Sequence, residues 1–224
     1  PTRSRSVSVS NAVASVQHLA PNTDVASNFS NLGTWVDLAA PGQGIYSAVD
    51  GGVNNGYATL SGTSMAAPIA ASVAALIKSQ HPSWNGLKVG EQLRVTCDNI
   101  NAVNQSFYWD MLGKGRVNAF RAVSQSSPAV RLTSWSFVDA DGNGQLNRGE
   151  TVTMSITAHN YLAGVSNLVL SLTSPTTDVT LVDGSETVSI PTDGNVTRSA
   201  AFSFTVSPTA ELSAQRTLRV DMNA

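Results

Sequence analysis

Leu60-Ser61-Gly62-Thr63-Ser64-Met65-Ala66-Ala67-Pro68 opens onto an alanine-rich run that carries no charge until Lys78. The run predicts a helix over 65–80. It is apolar on every side, so the expectation is a helix buried all round, with side chains small enough to lie close to a sheet. His81-Pro82 ends it, because the residue before proline resists helical geometry. Ser64 stands at the helix start, where unpaired N–H groups and a partial positive charge collect. Gly62 has no Cβ and lets another chain come close. Ala66 and Ala67 keep the first turn small, and Pro68 sits early, where a missing N–H costs least. A serine hydroxyl needs a neighbouring base to become a nucleophile, and the carbonyl it attacks needs fixed donors for its developing charge. A helix start supplies such donors. Serine is also an ordinary helix cap, and the pair Thr63-Ser64 alone does not separate the two roles.

Upstream, Val13–Val16, Trp35–Ala40 and Gly44–Val49 are short apolar runs bounded by Pro41-Gly42 and Asp50-Gly51-Gly52, the pattern of buried strands. Downstream, Ser83 is the expected cap of a second helix over Trp84–Thr96, and a third is expected over Val117–Ser124. Helices and strands together give an α/β class for residues 1–127. The polar stretch Ser124-Gln125-Ser126-Ser127-Pro128 is the expected boundary. Beyond it the period changes to two. Val152, Met154, Ile156 and Ala158 alternate with Thr151, Thr153, Ser155 and Thr157, and Leu168/Leu170/Leu172, Phe202/Phe204/Val206 and Leu218/Val220/Met222 repeat the pattern. Such strands without helices predict an all-β sandwich over 128–224.

Composition narrows the function. With 42% hydrophobic and 12% charged residues the chain is globular rather than disordered. A net charge of −2 leaves no basic footprint for nucleic acid. No apolar stretch reaches the ~18 residues of a membrane span. The single cysteine, Cys97, excludes an internal disulfide and reads as a small buried apolar residue. Pro1-Thr2-Arg3-Ser4-Arg5 carries neither an initiating Met nor a signal-peptide core, so the chain is expected to be a fragment or processed product.

The second chemical motif runs from Asp139 to Glu150. A loop of about twelve residues supplies calcium with oxygens at positions 1, 3, 5, 7, 9 and 12, with glycine at 6. Those positions hold Asp139, Asp141, Asn143, Gln145, Asn147 and Glu150, and Gly144 is sixth. A strand, not a helix, is expected to follow, so the loop is EF-like without being an EF-hand, and Leu146 is expected to face the core. A structural Ca2+ is the expected cofactor, with no organic cofactor.

Gly62-Thr63-Ser64-Met65-Ala66-Ala67-Pro68 resembles the Gly-Thr-Ser-Met-Ala-x-Pro signature around the catalytic serine of the subtilisin-like (subtilase) family. Phe29-Ser30-Asn31-Leu32-Gly33, Asp37-Leu38-Ala39-Ala40-Pro41-Gly42, His81-Pro82-Ser83-Trp84 and Gly113-Lys114-Gly115-Arg116-Val117-Asn118-Ala119 resemble further family blocks in the right order, over roughly Ala12 to Val123. The acidic loop resembles those of accessory domains on bacterial secreted proteins. The resemblance implies the C-terminal part of a subtilisin-like parallel-sheet domain and hydrolysis of peptide bonds in protein or peptide substrates through an acyl-enzyme. Ser64 would be the nucleophile and its backbone N–H an oxyanion donor. Gly62, Thr63 and Met65 would line the cleft, with Met65 on the leaving-group side. In this family the triad runs Asp, His, Ser, and no Asp-(Ser/Thr)-Gly or His-Gly-Thr motif occurs in the chain. His18, His81, His159 and Asp37 stand in other contexts and are not expected to complete the triad. The expected partner is therefore the missing N-terminal part of the catalytic domain, and the chain alone should be inactive. The family implies a secreted or cell-envelope location. The alternative is a non-catalytic pseudo-protease remnant with a calcium-stabilised binding module.

Overall fold

A computed structural model describes residues 16–19, 23–27, 30, 32–50, 56–108, 111–211 and 216–223. Residues 13–15 of the first apolar run, Phe29 and Asn31 of the Phe-Ser-Asn turn, and the Gly51-Gly52 stop lie outside them. The chain divides into two compact units, Pro1–Ser127 and Pro128–Ala224.

In the first unit helices and strands mix, as an α/β fold requires. Strands β1 (Val16–Leu19) and β2 (Leu38–Pro41) pair in parallel, Val16 opposite Leu38. Leu38, Ala39 and Ala40 are all fully buried, the mark of a parallel strand covered on both faces. Leu38 and Ala40 pack with Ala66, Ala70, Val73 and Ile77 of helix α1 (Thr63–Gln80). Ala39 faces Ile100 and Leu112 instead. Strands β3 (Ile45–Ala48) and β4 (Tyr57–Leu60) form an antiparallel pair with Tyr46 and Tyr57 stacked, 5.5 Å between centroids. The β4 segment lacks any alternation that would have announced it.

Three expectations change. Helix α1 is not buried all round. Ala66, Ala70, Val73 and Ile77 form one buried stripe, while Ala67, Ala71, Ala75 and Leu76 are exposed. The apolar composition exceeds what the described residues cover. Helix α2 runs Gly86–Val95, and its cap is Asn85, whose side chain accepts the Lys88 N–H; Ser83 lies in the preceding turn. Helix α3 is Ala119–Ser124, capped by Asn118. Asn wins both positions because its oxygen reaches the N–H three residues on. Cys97 is buried, and loss of hydration, followed by the Asp98 charge, pushes its thiol up to about 12.

The segment after Leu112 stitches the unit closed. Ala39 N–H donates to Gly115 O and Val117 N–H to Ala39 O, both at 2.8 Å. A Cβ on Gly115 would stand 1.9 Å from the Asp98 carbonyl oxygen, and its φ of +112° suits only glycine. Around this stitch, Asp98 accepts from Arg116 (2.7 Å), Arg121 (3.0 Å) and Asn118 (2.8 Å), and Arg116 also reaches Asp24 (3.0 Å). Partial burial raises the proton affinity of Asp98, but hydrogen bonds from Arg116, Asn118 and Arg121 and the Arg116 charge outweigh it and hold the carboxyl below its ordinary value. The ionised form is thus favoured by folding. Its contribution is present above the unfolded aspartate value of about 4 and is lost as pH falls through the lower folded value. We expect Asp98→Asn to destabilise the protein by about 1–2 kcal/mol at pH 7 and by clearly less at pH 2, read by urea unfolding. Equal losses at both pH values would refute the assignment.

The second unit holds two antiparallel sheets. One has the order β5 (Val130–Asp139), β6 (Thr151–Asn160), β10 (Gly194–Val206), β8 (Val179–Asp183). The other has the order β11 (Arg219–Asn223), β7 (Val165–Thr173), β9 (Ser185–Ile190). The alternating residues of β6, β7, β9 and β10 bury together in one cluster, Phe202 and Phe204 fully. Each such side chain contributes about 1.5–3 kcal/mol. Asn160, also fully buried, accepts from Ala129 N–H (2.9 Å) and donates to Ala163 O (2.6 Å), so its amide is satisfied. Among the described residues no helix is long and apolar enough to cross a membrane.

Candidate active site

Strand β4 delivers the chain to Ser61 and Gly62, and α1 starts at Thr63. Gly62 occupies the cap position with φ 154° and ψ 169°, a region essentially confined to glycine. Its carbonyl accepts from Met65 N–H at 3.0 Å and Ala66 N–H at 3.3 Å. The cap is therefore a backbone device, and Ser64 is the second residue of the helix rather than its cap. Ser64 is exposed, and its hydroxyl bonds no other described residue. The first N–H groups of a helix have no partner within it, which leaves the Ser64 N–H as a donor at the electropositive end. Pro68 has no N–H to offer the Ser64 carbonyl four residues back, so the turn carrying Ser64 is freed from the regular ladder. Thr63 is exposed beside it, and Met65 is half-buried, its sulfur 3.8 Å from where a Gly62 Cβ would lie.

His18 lies in β1 opposite Ala40. His81 stacks on Trp84 with centroids 3.8 Å apart at the other end of α1, about 25 Å along the helix axis from Ser64. His159, in the second unit, shares a hydrogen bond of 2.8 Å with Asn195. The Asp37 backbone carbonyl accepts from Lys114 N–H at 3.0 Å.

In the acidic loop the structure brings together Asp139, Asp141 and Glu150, whose carboxylate oxygens lie within 4.8 Å of one another. These are residues 1, 3 and 12 of the loop. Gly144 is left-handed at φ +77° and donates its N–H to Asp139 at 2.8 Å, and Asn147 N–H donates to Glu150 at 2.8 Å. Loss of hydration raises the proton affinity of Asp139, but backbone donors led by Gly144 outweigh it and hold the carboxyl below its ordinary value. Asn143 turns its amide to Asp141 (2.6 Å), and its oxygen accepts Gln145 N–H (2.7 Å). No side-chain contact of Gln145 or Asn147 joins the carboxylate group. Leu146 is 52% exposed, contrary to the expected core position, because the loop folds around its own carboxylates rather than onto the sheets. Three oxygens this close without a cation repel one another, so the donor set fits a hard cation such as Ca2+.

Sequence reading missed Ser61. Its hydroxyl accepts the Gly44 N–H at 2.9 Å, and only the β3–β4 pairing reveals it.

Residues 4–109 match the model of the Subtilase family. Alkaline elastase YaB of Bacillus sp. (strain YaB) is 42% identical over 93 residues, covering 42% of this chain and 22% of that protein. Thermitase of Thermoactinomyces vulgaris is 42% identical over 114 residues, 51% of this chain and 37% of that protein. The chain thus spans between a fifth and two fifths of the length of these relatives. A solved protease structure from Pseudoalteromonas arctica PAMC 21717 aligns at 32% identity and a TM-score of 0.43, covering 50% of this chain and 35% of that one. The sequence matches support a subtilase in the part of the chain that carries Ser64.

Proposed function

We propose that this chain is part of a serine endopeptidase in which Ser64 is the nucleophile and the histidine and aspartate come from polypeptide outside residues 1–224. The observation that carries the reading is the exposed Ser64 hydroxyl on the first turn of α1, with the capping role already taken by Gly62. Ser64 Oγ attacks the scissile carbonyl carbon while the base takes its proton. The carbonyl oxygen becomes an oxyanion facing the Ser64 N–H. Collapse returns the proton to the leaving amine and leaves an acyl-enzyme for water to hydrolyse. Gly62 and Thr63 border the cleft, and Met65 flanks the leaving-group side.

The uncovered apolar Ala67/Ala71/Ala75/Leu76 face of α1 supports a completing polypeptide, since a helix apolar all round is ordinarily buried. We assign residues 1–127 to the partial catalytic domain and 128–224 to a β-sandwich accessory domain. In the latter Asp139, Asp141, Asn143, Gln145, Asn147 and Glu150 form the Ca2+ set, with Gln145 and Asn147 contributing through backbone or water. An exported, extracellular or cell-envelope location, which the family resemblance implies, agrees with that assignment, since extracellular calcium modules commonly bind at millimolar levels. Relatives named as an alkaline elastase and a serine proteinase favour this over a decayed remnant.

A fluorophosphonate probe tests the reading. The intact protein containing residues 1–224 is expected to be labelled at Ser64, and the isolated chain to label only at the background rate and to leave casein uncut. An intact protein that is not labelled at Ser64, or an isolated chain as active as the intact one, overturns it.

A further inference from the structure

Strand β4 last pairs with β3 at Leu60, opposite Ile45. One step further the ladder continues through a side chain: the Gly44 N–H donates to Ser61 Oγ at 2.9 Å. Immediately after, the Gly62 N–H donates to the carbonyl of buried Gly42 at 2.7 Å. The 41–44 loop that receives both is itself tethered, since Ser27, 8% exposed, donates its hydroxyl to Gln43 Oε1 at 2.9 Å. Two hydrogen bonds therefore fasten the residues just before Ser64 to an anchored loop. The backbone at residue 61 must leave the ladder here, because Gly62 turns to φ 154° for the helix start. A hydroxyl on residue 61 satisfies the Gly44 N–H while freeing that backbone to turn.

We propose that Ser61 is a positioning residue for Ser64: by accepting the Gly44 N–H it fixes the direction in which the chain leaves β4 for α1, and with it the place of the Ser64 hydroxyl. The inference rests on reading Ser64 as the nucleophile. Ser61 is exposed and contributes nothing to a core, so its loss loosens the approach without unfolding the unit. Displacements of about 1 Å at a nucleophile cost up to about a hundredfold in rate, and a fraction of that shift gives about tenfold.

The test measures fluorophosphonate labelling rates, peptide kcat and KM, and melting temperature of the intact protein and its variants. Ser61→Ala is expected to label about tenfold more slowly and to lose kcat by a similar factor, with KM and the pH midpoint of labelling unchanged. Ser61→Thr, which keeps the acceptor, restores the rate. Ser61→Cys, a weak acceptor, falls between and serves if the alanine variant does not fold. Ser72→Ala removes a hydroxyl bond to Pro68 O on the same helix and leaves labelling unchanged. Wild-type labelling in Ser61→Ala, no rescue by threonine, or equal slowing in Ser72→Ala overturns the positioning role. A wild-type protein that is not labelled at Ser64 instead removes the nucleophile reading, and this inference with it.

Discussion

Ser64→Ala is expected to remove fluorophosphonate labelling of the intact protein and to lower its peptide turnover by about a million-fold, the loss known for the nucleophile of subtilisin. The size follows from the division of labour in the site. The proposed oxyanion donor is a backbone N–H, which the substitution leaves in place, so a small residual acceleration should survive. Everything that depends on the covalent intermediate goes. Because the Ser64 side chain is exposed and bonds no other described residue, the unfolding free energy should change no more than for a neutral surface substitution, about 0.5 kcal/mol. Turnover in the Ser64→Ala protein within a hundredfold of wild type would remove Ser64 from the chemistry. A large fall in stability would mean that the residue holds the helix start together instead.

Calcium should act on the second unit. A cation seated among Asp139, Asp141 and Glu150 binds the folded loop and not the unfolded chain, so at about 100 times its Kd it adds about 2.7 kcal/mol. For a unit of this size that corresponds to a rise in Tm of roughly 10–20 °C, reversed by chelator. Glu150→Gln removes one of the three charges and leaves a single side-chain oxygen for the two N–H groups, of Asp141 and Asn147, that the carboxylate accepts, and it should abolish most of the calcium-dependent rise while lowering the calcium-free Tm only slightly. A Tm indifferent to both calcium and chelator would leave the loop as a self-bonded acidic turn.

Some of this was legible in the residues, for physical reasons. Strand β6 alternates strictly because one face meets the buried cluster and the other meets water. Strand β2 reads as continuous apolar because both of its faces are covered. The Ser64 turn could be read because its glycine, its small residues and its proline each answer a separate steric demand. Strands β4 and β8 were not legible. They are short, mostly exposed and specified by their partners rather than by a periodic pattern. The cap of α2 was misplaced because Ser83 and Asn85 are both good caps by type, and only the direction of the chain after Pro82 decides between them. Helix α1 shows the opposite limit. Its composition reports everything that can lie against it, whereas the described residues account for one stripe.

The stitch formed by Gly113 to Val117 also dictates where this protein can be spliced. Severed at Leu112, a graft would strip β2 of its Gly115 and Val117 hydrogen bonds and leave Asp98 facing neither Arg116 nor Arg121. Even a junction at Ser124 would forfeit the bond that Arg121 Nε donates to Gln125 Oε1, 3.0 Å away. A chimera meant to carry a different tail on the same front half should therefore be joined in the narrow window from Ser126 to Pro128, which spares all of those fastenings.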